Sequence, residues 1–209
     1  MLISVKKRFI FIANSKTAST SIEAALAPYA EINRIGSALR KHISWEASKK
    51  EYKFLFKFEE YHPDSFFKFG VIREPVDWVL SWYNYRLGNQ KLPNSLPQDM
   101  TFYQFWNSID RIKDISQKAS FVDEDGVCRF DLIIPHQAVG RAFPVLMNSL
   151  KIPKTTLPTK NKSAGQTLQR SKLSAEIVAD INTYYQQDFD LWKEWSDNID
   201  SYLEELAKQ

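Results

Sequence analysis

The chain has 209 residues, of which 44% are apolar and 25% charged, and its formal net charge is +3. These values are typical of one globular domain with a full hydrophobic core, and the aromatic share of 14% favours a packed core over a disordered or coiled-coil chain. The basic residues are spread along the sequence, so we predict no nucleic-acid partner. The single cysteine, Cys128, cannot form an intramolecular disulfide, which fits a reducing compartment.

The first predicted element is a strand. Residues 8–13 (RFIFIA) form a short, continuous apolar run, as expected for a buried parallel strand. The run is too short for a signal peptide or a membrane span, and no other apolar stretch approaches the roughly 20 residues that a spanning helix needs. We therefore expect a soluble, cytoplasmic protein with no membrane partner.

A polar loop follows this strand and leads into a helix. Residues 14–21 (NSKTASTS) break the apolar run, and residues 22–27 are typical of a helix in which Thr20 and Glu23 have capping-box spacing. Such a loop lets backbone N–H groups converge on an anion, which the helix dipole also favours. Lys16 adds a cation, and further hydroxyl donors are Thr17, Ser19, Thr20 and Ser21. The loop is a candidate anion site.

The pattern of strand, loop and helix recurs farther along the chain. Residues 66–72 (FFKFGVI) are typical of a strand, Arg73 and Glu74 form its exit, and Pro75 sits at a favourable first helical position. Alternation of strands and helices predicts an α/β fold with a mainly parallel sheet.

Between these two units, a short helix is predicted over residues 45–50, with Ser44 as its cap and His42 just ahead of it. Farther on, residues 101–109 are predicted as an aromatic-rich helix within an insertion or lid. Asp125 and Gly126 have the sequence of a hairpin turn.

The C-terminal third is predicted to be mostly helical. A helix over residues 142–150 would carry Pro144 in its first turn, and Ser174 is expected to open a long helix. A polar break at residues 196–200 would separate that helix from a last one. The whole chain, residues 1–209, is expected to form one domain.

Two stretches resemble motifs of the sulfotransferases that use 3′-phosphoadenosine 5′-phosphosulfate (PAPS). IANSKTASTSIEAAL is similar to the 5′-phosphosulfate loop of that family, in which a strand precedes a lysine, a threonine and other small hydroxyl residues. FGVIREPVDWVLSWYNYRL is similar to the 3′-phosphate motif, with a strand, an arginine, a proline and a serine in the next helix. The resemblance implies a three-layer α/β sandwich of the P-loop NTPase type with a mainly parallel central sheet.

The resemblance also implies which residues hold PAPS. Arg73 and Ser81 would bind the 3′-phosphate, since Ser81 lies about two turns into the predicted helix and Arg73 offers a planar fork of donors. A salt bridge from Arg73 to Glu74 or Asp77 is the alternative. The 5′-phosphosulfate would lie in the loop formed by Ser15, Lys16, Thr17, Ala18, Ser19, Thr20 and Ser21.

A late segment, TKNKSAG, is similar to the loop that closes over the nucleotide in this family, and it implies Asn161 and Ser163 as further nucleotide contacts. The donor brings its own activated group, so no metal is required. The three histidines also lack ligand spacing.

Catalysis of sulfuryl transfer should depend on positioning and charge neutralisation, as in phosphoryl transfer. Lys16 would stabilise the leaving oxygen. An acceptor hydroxyl needs a base, and a histidine suits that task near neutral pH. His42 lies in LRKHISWEAS, which resembles the Lys-His stretch between the two nucleotide motifs of carbohydrate-type members. Other members use a glutamate, so Glu46 is the second candidate.

The acceptor is expected to be a hydroxyl, or an amine, on a small molecule or saccharide. Two other functions stay open. One is a small-molecule kinase with a degenerate P-loop, although the loop lacks the glycines of G-x-x-x-x-G-K-[ST]. The other is a catalytically inactive nucleotide-binding module of the same fold. The oligomeric state is left open.

Overall fold

The computed structural model describes residues 1–108, 115–153, 156–158 and 167–208. Within these ranges, the strands are β1 (Leu2–Ser4), β2 (Phe9–Ile12), β3 (Ile32–Asn33), β4 (Phe67–Ile72) and β5 (Leu132–Pro135). They form one sheet in the order β3-β1-β2-β4-β5.

The sheet is mixed. β2 pairs in parallel with β4, and β4 pairs in parallel with β5, whereas β1 is antiparallel to both β2 and β3. The predicted parallel arrangement is therefore confirmed for β2, β4 and β5, and the antiparallel half was not foreseen. β1 has only three residues, too few to show a periodic pattern. The parallel pairing brings the carboxyl ends of β2, β4 and β5 to one edge of the sheet.

The helices in the described ranges are α1 (Ser19–Leu26), α2 (Ala38–Lys41), α3 (Trp45–Glu51), α4 (Lys53–Phe56), α5 (Pro75–Leu87), α6 (Phe102–Asn107), α7 (Val139–Ser149), α8 (Ala175–Tyr184) and α9 (Gln186–Leu206). The predicted caps are confirmed for two of them, since Ser44 accepts a hydrogen bond at the start of α3 and Ser174 does so at the start of α8. Across this part of the chain, none of the helices has the length and apolar character required to cross a membrane.

Two hydrophobic cores support the fold. The larger one surrounds the sheet, where the rings of Phe11 and Phe69 lie 5.1 Å apart on neighbouring strands. The second lies between α5, α6 and α8, and the Trp78 ring of α5 contacts Tyr185 edge to face at 5.7 Å. Because the indole of Trp78 is fully buried, α5 is held firmly beside the sheet edge.

The start of α1 differs from the prediction. The helix begins at Ser19, and Ala18 precedes it in a left-handed conformation without any side-chain cap. The predicted capping box of Thr20 and Glu23 is therefore wrong. Glu23 is buried, and its carboxylate contacts the ammonium of Lys41 at 3.1 Å, because a buried charge is stabilised more by an opposite charge than by a backbone amide.

Three other predicted boundaries are also wrong. α7 begins at Val139, so Pro144 lies inside the helix. The long helix ends at Tyr184, and α9 then continues past residues 196–200 without a break, because Trp195, Ile199 and Leu203 keep one buried stripe. The predicted hairpin around Gly126 is reduced to a turn with one bridge, Val122 to Cys128.

Gly70 in β4 leaves room for the ring of Phe121. A β-carbon at this position would lie 2.3 Å from Cε1 of Phe121, which is fully buried. We expect Gly70→Ala to lower the free energy of unfolding by about 1–3 kcal/mol, because the ring must move within a packed core. Urea denaturation measures this change.

The matched control is Gly140→Ala in α7, where an added β-carbon meets nothing within 4 Å. It should raise stability by about 0.5–1 kcal/mol, the usual helix preference for alanine. Equal stability of Gly70→Ala and the wild type would show that Phe121 does not need the space at Gly70.

Candidate functional site

A cleft of about 1040 Å³ opens beyond the carboxyl ends of β2 and β4. The described residues that line it come from the loop of residues 15–21 and α1, the segment around α2, Arg73 with one face of α5, His136 after β5, and residues 167–168. Ligands of open α/β sheets bind at this edge because the loops there converge. The two sequence motifs therefore meet in one cleft.

The loop between β2 and α1 adopts an uncommon backbone. Lys16 and Ala18 have φ values of 58° and 61°, in the left-handed region that glycine normally occupies. Each such residue costs on the order of 1–3 kcal/mol and is held by its surroundings. Here Trp78 Nε1 donates to the Ser15 carbonyl at 2.9 Å, and the Thr17 hydroxyl donates to the Asn14 carbonyl at 3.0 Å.

This backbone fits an anion. Loops with left-handed residues form concave sites lined by N–H groups, and the positive end of the α1 dipole adds to the attraction. The Thr17 hydroxyl is already engaged within the loop. Thr17 would therefore reach a ligand through its backbone N–H, whereas the sequence suggested its hydroxyl.

Lys41 donates hydrogen bonds to two other hydroxyls of the loop and so orients them. Its ammonium is buried and donates to Thr20 Oγ1 at 2.9 Å and to Ser19 Oγ at 3.4 Å. An ammonium only donates, so both hydroxyls accept from it and keep their own protons for another acceptor. Sequence reasoning treated Lys41 only as a neighbour of His42, and the structure gives it a direct role in the loop.

Lys16 lies against aromatic rings at the opposite wall. Its Nζ is 3.6 Å from the ring centroid of Tyr85 and 5.9 Å from that of Trp82, both on α5. The pKa of Lys16 is lowered to about 8, mainly by burial and also by the nearby positive charges of Arg73 and Lys41. The ring faces stabilise the ammonium, which is still mostly charged at neutral pH.

Arg73 and Ser81 occupy the wall beyond β4. The Arg73 guanidinium is half-buried and donates to the Lys16 carbonyl at 3.4 Å. It forms no ion pair with Glu74 or Asp77, because Glu74 instead accepts from Arg170 Nη1 at 2.6 Å. The expected alternative of a structural salt bridge is therefore wrong. Ser81 lines the same cleft two turns into α5, as its spacing predicted.

His42 faces the cleft from the end of α2. Its Nδ1 lies 2.6 Å from the Ala13 carbonyl at the end of β2. A carbonyl oxygen only accepts, so Nδ1 carries the proton and Nε2 is left as the basic nitrogen. Burial is the main cause that lowers the pKa of His42 below its usual 6.5, so the ring is neutral at physiological pH.

Glu46 lies on α3 and is not among the residues that line the cleft. Its carboxylate pairs with Lys49 at 2.8 Å and Lys50 at 3.1 Å, and hydrogen bonds from these two lysines lower its pKa. This placement favours His42 over Glu46 as a base. The two other candidates, Asn161 and Ser163, lie outside the described residues.

Two cleft residues were missed from the sequence. His136 was interpreted as an ordinary loop residue, yet it lines the cleft beside Arg73, and burial lowers its pKa to about 4. Asn84 of α5 exchanges two hydrogen bonds of 2.9 Å with the backbone of Leu168 and so fixes another part of the wall. The available signals were a histidine directly after a strand and an asparagine one turn beyond Ser81.

A family model described as "Sulfotransferase family" matches residues 1–193. The matched range contains the loop of residues 15–21, His42, Arg73 and Ser81. No curated protein and no solved structure matches the chain.

Proposed function

The chain belongs to the sulfotransferase family, and on that premise we propose that it moves a sulfuryl group from PAPS to an acceptor hydroxyl or amine. The observation that carries the proposal is the meeting of both phosphate motifs with His42 in one cleft. Among its described lining residues, the cationic ones are Lys16, Lys41 and Arg73. Several positive charges at one place suit a ligand that carries several negative charges.

The residues present fit PAPS by the chemistry of their donors. The loop of residues 15–21 offers backbone N–H groups, the hydroxyls that Lys41 prepares, and the ammonium of Lys16 for the 5′ end. Arg73 and Ser81 offer a guanidinium and a hydroxyl for the 3′-phosphate. When bound, PAPS supplies an activated sulfuryl group, so the chain needs no nucleophile of its own.

The cleft also has room for a second substrate. Its volume of about 1040 Å³ is at the upper end of the range of roughly 300–1,000 Å³ for small-molecule sites. The acceptor would enter beside His42, on the side of α2. It is proposed to be a small molecule or a saccharide.

The chemical roles follow from the protonation states. His42 Nε2 takes the proton that the acceptor hydroxyl loses as its oxygen bonds to sulfur. The resulting imidazolium keeps its Nδ1–H bond to the Ala13 carbonyl, which stabilises the new charge. Lys16 neutralises the charge left on the phosphate oxygen when its bond to sulfur breaks.

Several other features belong to this proposal. They are a three-layer, P-loop-like arrangement of the domain, a single domain over residues 1–209, and a cytoplasmic location. Asn161 and Ser163 are proposed as additional nucleotide contacts, and Glu46 as the reserve base.

We expect adenosine 3′,5′-bisphosphate (PAP), the nucleotide product, to raise the melting temperature more than ATP with magnesium at the same concentration. Only PAP offers one phosphate to the Lys16 loop and another to Arg73 and Ser81. Ligand stabilisation grows with concentration over Kd, about 2.7 kcal/mol at 100 Kd. A thermal-shift assay at matched concentrations measures the difference.

Arg73→Ala should abolish this preference, whereas Arg141→Ala, which removes an exposed arginine paired with Asp200, should keep it. If ATP with magnesium stabilised the wild type as much as PAP or more, the alternative function as a small-molecule kinase would be favoured. Binding of PAP without the mass gain of one SO₃ on any acceptor in a pool of hydroxylated metabolites and glycans would favour the inactive module.

A further inference from the structure

We propose that Gln117 and Asp188 are positioning residues that fix the backbone at Arg73 and thereby set the preference for a nucleotide with a 3′-phosphate. The inference rests on the proposed function, in which Arg73 binds that phosphate. Neither residue lines the cleft, so both would act through Arg73.

The side-chain amide of Gln117 engages both backbone groups of Arg73. The Arg73 N–H donates to Gln117 Oε1 at 2.9 Å, and Gln117 Nε2 donates to the Arg73 carbonyl at 2.7 Å. Gln117 is 0% exposed, so water does not replace these bonds if they are lost. Loss of either bond would leave a buried backbone group without a partner, which costs free energy. The two hydrogen bonds therefore restrict the backbone of Arg73 to one conformation.

Arg73 needs such a partner because of its place in the chain. β4 ends at Ile72 and α5 begins at Pro75, so Arg73 lies in a short connection between the two elements. The sheet and the helix order its neighbours. The amide of Gln117 supplies the two hydrogen bonds that a regular element would otherwise give to Arg73.

Asp188 in turn holds Gln117. This carboxylate is 2% exposed in the first turn of α9, and it accepts from three donors of one short segment. Its Oδ2 accepts from the Gln117 N–H at 2.9 Å, and its Oδ1 accepts from the Ser116 hydroxyl at 2.6 Å and the Lys118 N–H at 2.9 Å. These three hydrogen bonds together fix the segment of residues 116–118 against the start of α9.

The same segment is fixed from its other end by packing. Phe121 is the last residue of this segment, and its ring lies against Gly70 of β4. Asp188 and Phe121 thus hold the segment of residues 116–121 across the end of β4, and Gln117 points back to Arg73. A positioning role predicts that loss of this arrangement weakens recognition of the 3′-phosphate selectively.

The test is titration calorimetry of the full chain with PAP and with adenosine 5′-monophosphate (AMP), which lacks the 3′-phosphate. Gln117→Met keeps the length of the side chain and removes the amide. It should weaken PAP binding about tenfold or more, the effect of losing hydrogen bonds that orient a charged ligand group. AMP affinity should change by less than about threefold, so the ratio of the two affinities falls.

Two further variants keep the test decisive if Gln117→Met does not fold. Asp188→Asn replaces the carboxylate that accepts three bonds and should lower the same ratio. Gln187→Met, which makes the same substitution at an exposed neighbour on α9, should leave the ratio unchanged. Melting curves of each variant separate a loss of fold from a loss of selectivity.

A double-mutant cycle tests whether the effect passes through Arg73. In the Arg73→Ala background, Gln117→Met should cause no further fall in the ratio of PAP to AMP affinity. An independent additional fall would overturn the proposal, and so would equal losses for PAP and AMP or no change in either. If the wild type itself binds PAP no more tightly than AMP, the proposed 3′-phosphate site is wrong.

Discussion

Replacing His42 by alanine is expected to lower kcat for sulfate transfer by about 10²- to 10⁴-fold, the usual contribution of a positioned general base. Affinity for PAP should be nearly unchanged, because His42 belongs to neither phosphate motif. The rate should fall because the hydrogen bond from Nδ1 to the Ala13 carbonyl leaves Nε2 as the basic nitrogen of a residue that lines the cleft. A quenched-flow or steady-state transfer assay measures kcat, and calorimetry measures PAP affinity.

The pH dependence gives a second measurement of the same role. Burial lowers the pKa of His42 below 6.5, and only the neutral ring accepts a proton. Transfer by the wild type should therefore rise as pH increases through that lowered pKa and level off above it. The variant should lose this rise together with most of its rate.

Glu46→Gln is the matched control, since it removes the only other carboxylate or imidazole considered as a base. Its side chain pairs with Lys49 and Lys50 away from the cleft, so we expect the wild-type rate. A wild-type rate in His42→Ala would show that His42 is not the base. If Glu46→Gln were then also fully active, the acceptor would be an amine or an acidic hydroxyl.

Lys16→Met should lower the transfer rate by about 10²- to 10³-fold, the range for loss of one group that stabilises transition-state charge. Lys16 supplies the cation closest to the start of the loop, and methionine keeps its length without the charge. A transfer assay at saturating donor separates this loss from weaker binding. Lys53→Met, which neutralises an exposed lysine of α4, should have the wild-type rate.

The pKa of Lys16 also predicts how kcat/KM depends on pH above neutrality. Its value of about 8 means that the free enzyme loses this charge as pH rises through 8, so kcat/KM should fall there. Lys16→Arg keeps its charge at every pH in this range, and its kcat/KM should not fall near pH 8. A fall at the same pH in Lys16→Arg would assign the alkaline titration to another group.

Local sequence was sufficient for the elements that carry the site. The apolar runs before residue 13 and before residue 73 predicted β2 and β4, and Pro75 predicted the first turn of α5. The two motifs then placed Lys16 and Arg73 just after β2 and β4, and Ser81 two turns into α5. Such features depend on residues close together in the chain, and for that reason the sequence shows them directly.

The antiparallel strand β1 and the continuous helix α9 were not evident from the sequence. A strand of three residues carries too little periodicity, and the polar residues at 196–198 resemble a break until their buried neighbours are known. In both cases long-range packing outweighed the local preference. The boundary between α8 and α9 likewise falls at Tyr185, whose ring is held against Trp78.

The tertiary structure alone decided how the site residues are held. The loop has no glycine, yet Lys16 and Ala18 are left-handed in a loop that hydrogen bonds from Trp78 and Thr17 hold in place. Gln117 lies 44 residues from Arg73 and 71 from Asp188, so no local pattern links the three. Their hydrogen bonds form only because the sheet, the segment of residues 116–121 and α9 are packed together. The sequence determined which chemical groups were present, and long-range packing determined which of them meet, because burial and hydrogen bonding act between parts of the chain that are far apart along it.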